Sequence, residues 1–281
     1  MKFTKSQIKY FLATVSLFAA LHLQSYGDGF PVRPKRLILN PSVTYFFANQ
    51  AWDSVRVKHP FPLNGKYTSL TYSLSAEYGL SRRWTLVALL PYTMSTFEQT
   101  GFKSTANGLT DLETGIRYYI ANIDYRYYFM ITGTAITPLY TNPNLGYGES
   151  GAELKLSFAG SGHLFGLADF FQLENAVRQY FGTQGPEQDR YSGTFGLALD
   201  SRFKNQLSVS LGGFYSTSSF TKLQLNPAIN KNFAFNQVSL SYGHTFSRTI
   251  SAFVTGGTFI NGRNTGDGSS VSFSLIIKAF R

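Results

Sequence analysis

Glu153 and Lys155 stand two residues apart, and Glu174 and Arg178 four apart. In an extended strand such spacings put side chains on one face. If the two segments are neighbours, Lys155 comes within reach of Glu174 and Arg178 within reach of Glu153. Opposite charges facing each other across strands stabilise a sheet modestly. Arg190 falls on the same face beside them, and Asp111 and Glu113 on that face of another segment. Alternation adds Glu77, Arg117, Arg126, Asp200 and Lys278. The chemistry on offer is ionic: an internal salt-bridge network, or a ring of charge that filters solutes. Lys155, Arg178 and Arg190 outnumber Glu153 and Glu174, which predicts a net positive cluster with weak anion preference.

The same face is not uniformly polar. Met130, Phe170, Phe214 and Phe253 alternate onto it, as do Val87, Leu89, Ile136 and Phe259. Two readings are open for these residues, interior packing and a path for greasy solutes.

Other chemistries find no support. There is no cysteine, so neither a disulfide scaffold nor a thiolate metal site can be built. Beyond residue 27 the histidines are His59, His163 and His244, scattered over a long connection, a short turn and a strand end. They make no metal-ligand cluster. Ser247 lies across a turn from His244, without the third polar residue that orients a catalytic imidazole. The glycines do not sit in a strand–loop–helix unit that would cradle phosphate. The reading is therefore no enzyme, no catalytic residues, no metal and no cofactor.

The elements that must carry the ionic face are strands. Charged residues make up 14% of the chain and aromatic residues 16%, against about 25% charged in ordinary soluble domains. Period-2 alternation recurs throughout: Leu70, Tyr72, Leu74, Ala76 and Tyr78 oppose Thr71, Ser73, Ser75 and Glu77. About twelve segments of roughly 10–13 residues follow, a length that suits a tilted membrane-crossing strand. Short connections fall near 80–82, 121–124, 161–163, 201–204 and 246–248. Longer ones fall near 48–66, 93–108, 138–149, 181–188, 217–233 and 261–268. That alternation predicts an all-β fold, a transmembrane antiparallel β-barrel of about twelve strands with short periplasmic turns and longer extracellular loops.

The ends of the chain fit that compartment. Lys2, Lys5 and Lys9 precede an apolar stretch from Phe11 to Leu21 and a small-residue site at Ser25–Gly27. This pattern predicts a signal peptide over 1–27, a short periplasmic segment over 28–35 and the barrel over 36–281. Outer-membrane barrels usually close on an aromatic residue read by the barrel assembly machinery. Here Phe280 precedes a final Arg281, so that signal is shifted by one residue.

Aromatics gather at segment ends. Tyr78, Trp84, Tyr118 and Tyr127 lie near the short turns, and Tyr45, Phe47, Tyr92 and Tyr215 near the long connections. Two interfacial girdles at headgroup depth are the expected result. The turn side is rich in arginine and lysine (Arg33, Lys35, Arg36, Arg82, Arg83, Arg202, Lys204, Arg248), which suits anionic lipid headgroups. No basic patch is interleaved with aromatics, so no nucleic acid is expected. The expected partners are outer-membrane lipids and lipopolysaccharide, the assembly machinery and a small solute.

Two stretches carry a family resemblance. One runs Tyr78-Gly79-Leu80-Ser81-Arg82-Arg83-Trp84-Thr85-Leu86 and on to Leu90-Pro91-Tyr92. The other runs Gly108-Leu109-Thr110-Asp111-Leu112-Glu113-Thr114-Gly115-Ile116-Arg117-Tyr118-Tyr119. Together they resemble the transporter-like outer-membrane barrel family named after the MetA pathway of phenol degradation. The resemblance implies a porin-like outer-membrane channel for small hydrophobic or aromatic compounds, with no catalytic motif. A closed structural or surface-interaction barrel is the alternative.

Overall fold

The computed structural model describes residues 32–220 and 230–279. The expected signal peptide, Phe280 and Arg281 lie outside the described residues. The strands in chain order are β1 (Leu37–Trp52), β2 (Lys58–Pro60), β3 (Lys66–Gly79), β4 (Trp84–Gln99), β5 (Phe102–Leu109), β6 (Asp111–Ile123) and β7 (Tyr127–Pro138). There follow β8 (Gly151–Leu164), β9 (Leu167–Tyr180), β10 (Glu187–Ala198), β11 (Asn205–Thr217), β12 (Phe233–Thr245), β13 (Ile250–Arg263) and β14 (Thr265–Ala279).

Twelve of these form a closed antiparallel barrel, and β2 and β5 are additions near its loop end. Closure is made by β1 against β14, in register from Leu37↔Ala279 to Trp52↔Thr265 across one irregularity. Without an edge, every ladder group in the wall finds a partner, which is the condition for a sheet in hydrocarbon. The outward positions meet that solvent. Leu74, Leu86, Leu154, Leu156, Val209, Leu240, Val254 and Val271 all stand exposed on the outer face. A belt of that size in water far exceeds the few hundred Å² that a soluble monomer exposes; bilayer hydrocarbon accepts it.

Both aromatic girdles are in place. Tyr78, Trp84 and Tyr127 are exposed at the turn end, and Tyr45, Phe47, Tyr92 and Tyr215 at the loop end. The Trp84 and Tyr118 rings lie 4.5 Å apart, and the Arg83 guanidinium donates to the Tyr118 hydroxyl at 3.1 Å. An amphipathic ring with its polar tip tied to a rim cation suits headgroup depth.

The short turns are tight. Asp124 and Tyr125 both have positive φ, 52° and 55°, and Arg126 N–H donates to the Ile123 carbonyl at 3.0 Å. That is the left-handed pair a two-residue hairpin prefers, because its twist matches the strands. Arg126, expected on the inner face, therefore belongs to the turn. Asp200 is also a turn residue rather than an inner-wall one. Its carboxylate accepts backbone N–H bonds from Arg202, Lys204 and Asn205 at 2.9, 3.0 and 2.7 Å. Those bonds, led by Lys204, hold its carboxyl below the usual aspartate range. The expected turn at 161–163 falls later, at Phe165–Gly166, because β8 runs on to Leu164.

Two of the long connections are not loops. The 93–108 stretch is a hairpin: β4 continues to Gln99, turns at Thr100–Gly101 and returns as β5, paired from Tyr92↔Leu109 to Gln99↔Phe102. An extra residue near Thr110 then resets the alternation, so Leu109 faces outward while Glu113 faces inward opposite Leu89. One-residue insertions of this kind re-aim side chains. The 261–268 stretch likewise shrinks to Asn264 between β13 and β14.

At the turn end, the chain just before β1 crosses Gly79. Lys35 N–H donates to the Gly79 carbonyl at 2.7 Å, and Val32 is 4% exposed. A Cβ on Gly79 would stand 2.2 Å from the Arg33 carbonyl oxygen. Gly79→Ala is therefore expected to displace residues 32–35 and to cost roughly 1–3 kcal/mol, as overpacking does. Faster protease cleavage near Arg33 in the folded barrel checks it; an unchanged cleavage rate and stability would contradict the close approach.

Candidate functional site

The barrel encloses a cavity of about 470 Å³ whose wall is divided in two. One half is ionic and rises from β6, β8, β9 and β10. Direct pairing sets Glu153 opposite Arg178 on β8 and β9, and Lys155 one step away on the diagonal from Glu174. The Arg178 Nε donates to Glu153 Oε2 at 2.7 Å, and Arg190 Nη1 donates to the same oxygen at 2.6 Å. Lys155 Nζ stands 3.5 Å from Glu174 Oε1. Glu174 also accepts from Gln172 at 2.9 Å and from Ser157 at 3.2 Å. The register expected from the sequence is the observed one.

Glu113 changes the balance. It lies on β6, yet Arg178 Nη2 donates to its Oε1 at 2.6 Å, three strands away along the inner wall. Arg178 further donates to the Tyr180 hydroxyl at 3.4 Å, which in turn donates to Asp111 at 2.9 Å. All seven expected cluster residues, Glu153, Lys155, Glu174, Arg178, Arg190, Asp111 and Glu113, are thus brought together. The expected net positive charge is not what results: among the directly ion-paired side chains Lys155, Arg178 and Arg190 face Glu113, Glu153 and Glu174, three against three, and Asp111 is reached only through the Tyr180 hydroxyl. A separate pair lies nearer the turn end of the same side, where Arg117 of β6, four residues beyond Glu113, donates to Glu77 of β3 at 2.9 and 3.3 Å. Lys278 alternates inward near the turn end but joins neither group.

The other half is aromatic. Phe214 of β11, Phe235 of β12 and Phe259 of β13 form a near-parallel row. Ring centroids are 5.6 Å apart for the first pair and 4.1 Å for the second, with interplanar angles of 20° and 9°. Phe46 of β1 continues it, 5.7 Å from Phe259. Serines and threonines complete this side, among them Ser42, Thr44 and Ser270. Of the expected apolar residues, Phe214 lines the cavity, as do Val87, Leu89 and Phe259. Met130 and Ile136 are each 1% exposed, so they pack behind other side chains rather than line a path. Phe170 lies over Gly196 near Phe203, and Phe253 over Gly243, both outside the cavity lining.

Sequence reasoning missed Phe46 and Phe235. The signal for Phe46 was present, because Tyr45 and Phe47 both face outward and the residue between them must face in. Arg190 joins the two halves: its guanidinium carbon lies 5.6 Å from the Phe214 ring centroid while it pairs with Glu153.

Two connections fold over the loop end. Phe61, from the segment after β2, packs edge-on against Phe97 at 5.7 Å within a small core that includes Ala48 and Tyr67. From the connection between β7 and β8, the Tyr147 hydroxyl donates to the Asn230 carbonyl at 3.1 Å and its ring meets Tyr180 at 4.9 Å. Tyr140 accepts from Gly148 N–H at 3.0 Å. Burial pushes both of these phenols above the ordinary tyrosine range, so they stay protonated. Lys231 ties the cover down through Glu149 at 3.2 Å.

The histidines stand apart from one another. His59 meets Asp53 at 3.1 Å, and the His244 ring meets Asn205 at 2.7 Å rather than Ser247. Among the described residues no group of three or more potential ligands could hold a metal ion.

No protein-family model and no curated protein sequence matches the chain. Solved structures do. The COG4313 outer membrane channel from Pseudomonas putida F1 superposes with a TM-score of 0.71 at 14% identity, over 92% of this chain and 100% of that one. The NanC porin superposes at 0.51 and 8% identity, over 86% of this chain and 100% of that one. At such identities the likeness is one of fold: this chain has the architecture of the outer-membrane β-barrels.

Proposed function

We infer that the chain is a bacterial outer-membrane channel through which small solutes pass without energy input. The observation that carries this reading is the cavity inside the barrel, with one charged wall and one aromatic wall, in a barrel whose outer face is built for hydrocarbon. One solved structure of similar fold, superposing at a TM-score of 0.71, is described as an outer membrane channel, which supports the reading. The stretches similar to the MetA-pathway family fall on the β3–β4 hairpin and on β5–β6, where they form wall and cavity lining. Membership of that family is part of the proposal. A barrel of this kind meets outer-membrane lipid and lipopolysaccharide and reaches the membrane through the barrel assembly machinery.

One observation favours a closed structural barrel instead: Phe61 and Tyr147 fold inward over the mouth. Purified protein in planar bilayers, together with solute uptake into proteoliposomes, separates the two. Conductance steps and uptake above protein-free controls are expected. Silence in both assays, from a barrel that shows heat-modifiable migration, would leave the closed reading standing.

A further inference from the structure

We propose that the cavity is a binding station for a small aromatic carboxylate, with its ring on the phenylalanine row and its carboxylate on Arg190. The proposal rests on the reading of the lumen as a solute path and names the class of solute it takes. Guanidinium offers five N–H donors in a planar fork. Among the described residues the Arg190 side chain donates one hydrogen bond, to Glu153, and 31% of its surface is open. Arg178 differs, being 7% exposed and held by Glu113, Glu153 and Tyr180. Arg190 therefore keeps part of its fork turned to the cavity.

The Phe214 ring beneath that guanidinium begins the row that runs through Phe235 to Phe259. Because the row's rings stack face to face, a flat ring set along it meets their edges and gains edge-to-face contacts, as aromatic pairs do, and its carboxylate then reaches Arg190. Fork and carboxylate match in geometry, and a charge-assisted hydrogen bond is stronger than a neutral one. A neutral ring gains the row alone, and an aliphatic anion gains the arginine alone. Because the neighbouring charges balance, the incoming anion is held by one partly engaged fork rather than by a deep positive well. Such a site binds weakly enough to release, as a path requires.

The test uses the full barrel in lipid nanodiscs, with benzoate, benzyl alcohol and acetate as probes followed by saturation-transfer NMR and calorimetry. Benzoate is expected to bind at least about tenfold more tightly than either of the others. Arg190→Gln should remove that advantage over benzyl alcohol, and Phe235→Leu should remove most of the advantage over acetate. Heat-modifiable migration confirms that each variant is folded; if Arg190→Gln is not, Arg190→Lys keeps the charge without the fork and should weaken benzoate severalfold. Equal binding of benzoate and benzyl alcohol, or benzoate affinity indifferent to Arg190 substitution, overturns the proposal. Bilayer recording keeps the two readings apart. Benzoate binding in nanodiscs without any conductance sinks the channel and leaves the site, whereas conductance without preferential benzoate binding does the reverse.

Discussion

Arg178→Gln is expected to destabilise the barrel by roughly 3–5 kcal/mol, the loss seen when one partner of a buried ion pair is removed. The wild-type guanidinium is 7% exposed and donates to Glu153 at 2.7 Å and to Glu113 at 2.6 Å. Glutamine cannot reach both carboxylates. Glu153 keeps Arg190 at 2.6 Å, so the deficit falls on Glu113. Removing that carboxylate as well, in Glu113→Gln with Arg178→Gln, should recover at least about 1 kcal/mol, because no unpaired charge remains on the wall. Equilibrium unfolding in urea from phospholipid vesicles reads both quantities. A single variant as stable as the parent would show that the cluster is ornament on a wall that stands without it. In a conducting barrel the same substitution tips a balanced cluster to net negative. Reversal potentials across a salt gradient should then move towards cation preference, because a narrow lumen gives ions no way round its wall charges.

That prediction depends on a contact only partly legible in the sequence. Pairings such as Glu153 with Arg178 follow from alternation and adjacency, since neighbouring antiparallel strands settle which side chains can touch. Glu113 could be placed on the inner face but not beside Arg178. Their meeting depends on barrel curvature, which brings β6 and β9 within side-chain reach across two intervening strands. Alternation alone therefore predicts a net positive cluster where the ion-paired groups in fact balance.

The loop end is less legible in the sequence than the wall, for a solvent reason. Within the bilayer, outward residues must be apolar and inward ones are largely polar, so period 2 is written in hydropathy. Beyond it both faces meet water, and the rule has nothing to act on. The hairpin of β4 and β5 shows this: Phe102-Lys103-Ser104-Thr105 pairs as a strand without clear alternation. The inward fold of Phe61 and Tyr147 leaves no mark in the local sequence, for a related reason. Each is held by residues far away in sequence, Phe97 and Asn230 among them.

The outer face offers the other large effect. Leu240→Arg is expected to cost roughly 2–4 kcal/mol, the penalty for a cation on the lipid face near the bilayer midplane. Leu240 is 55% exposed at the middle of β12, between Val209 of β11 and Gly256 of β13, so nothing in the wall can shelter a guanidinium there. An aqueous surface would accept the same change with an effect within about 0.5 kcal/mol. Ile260→Arg is the control. Ile260 is almost as exposed, at 50%, but lies near the loop end of β13, where headgroups and water can solvate the cation and the cost falls to about 0–1 kcal/mol. Both variants are measured by reversible urea unfolding from vesicles, with the parent as reference. A gap of about 2 kcal/mol between them is the signature of a depth gradient. Equal and small costs would mean that the belt faces water, and would overturn the membrane assignment on which the channel reading stands.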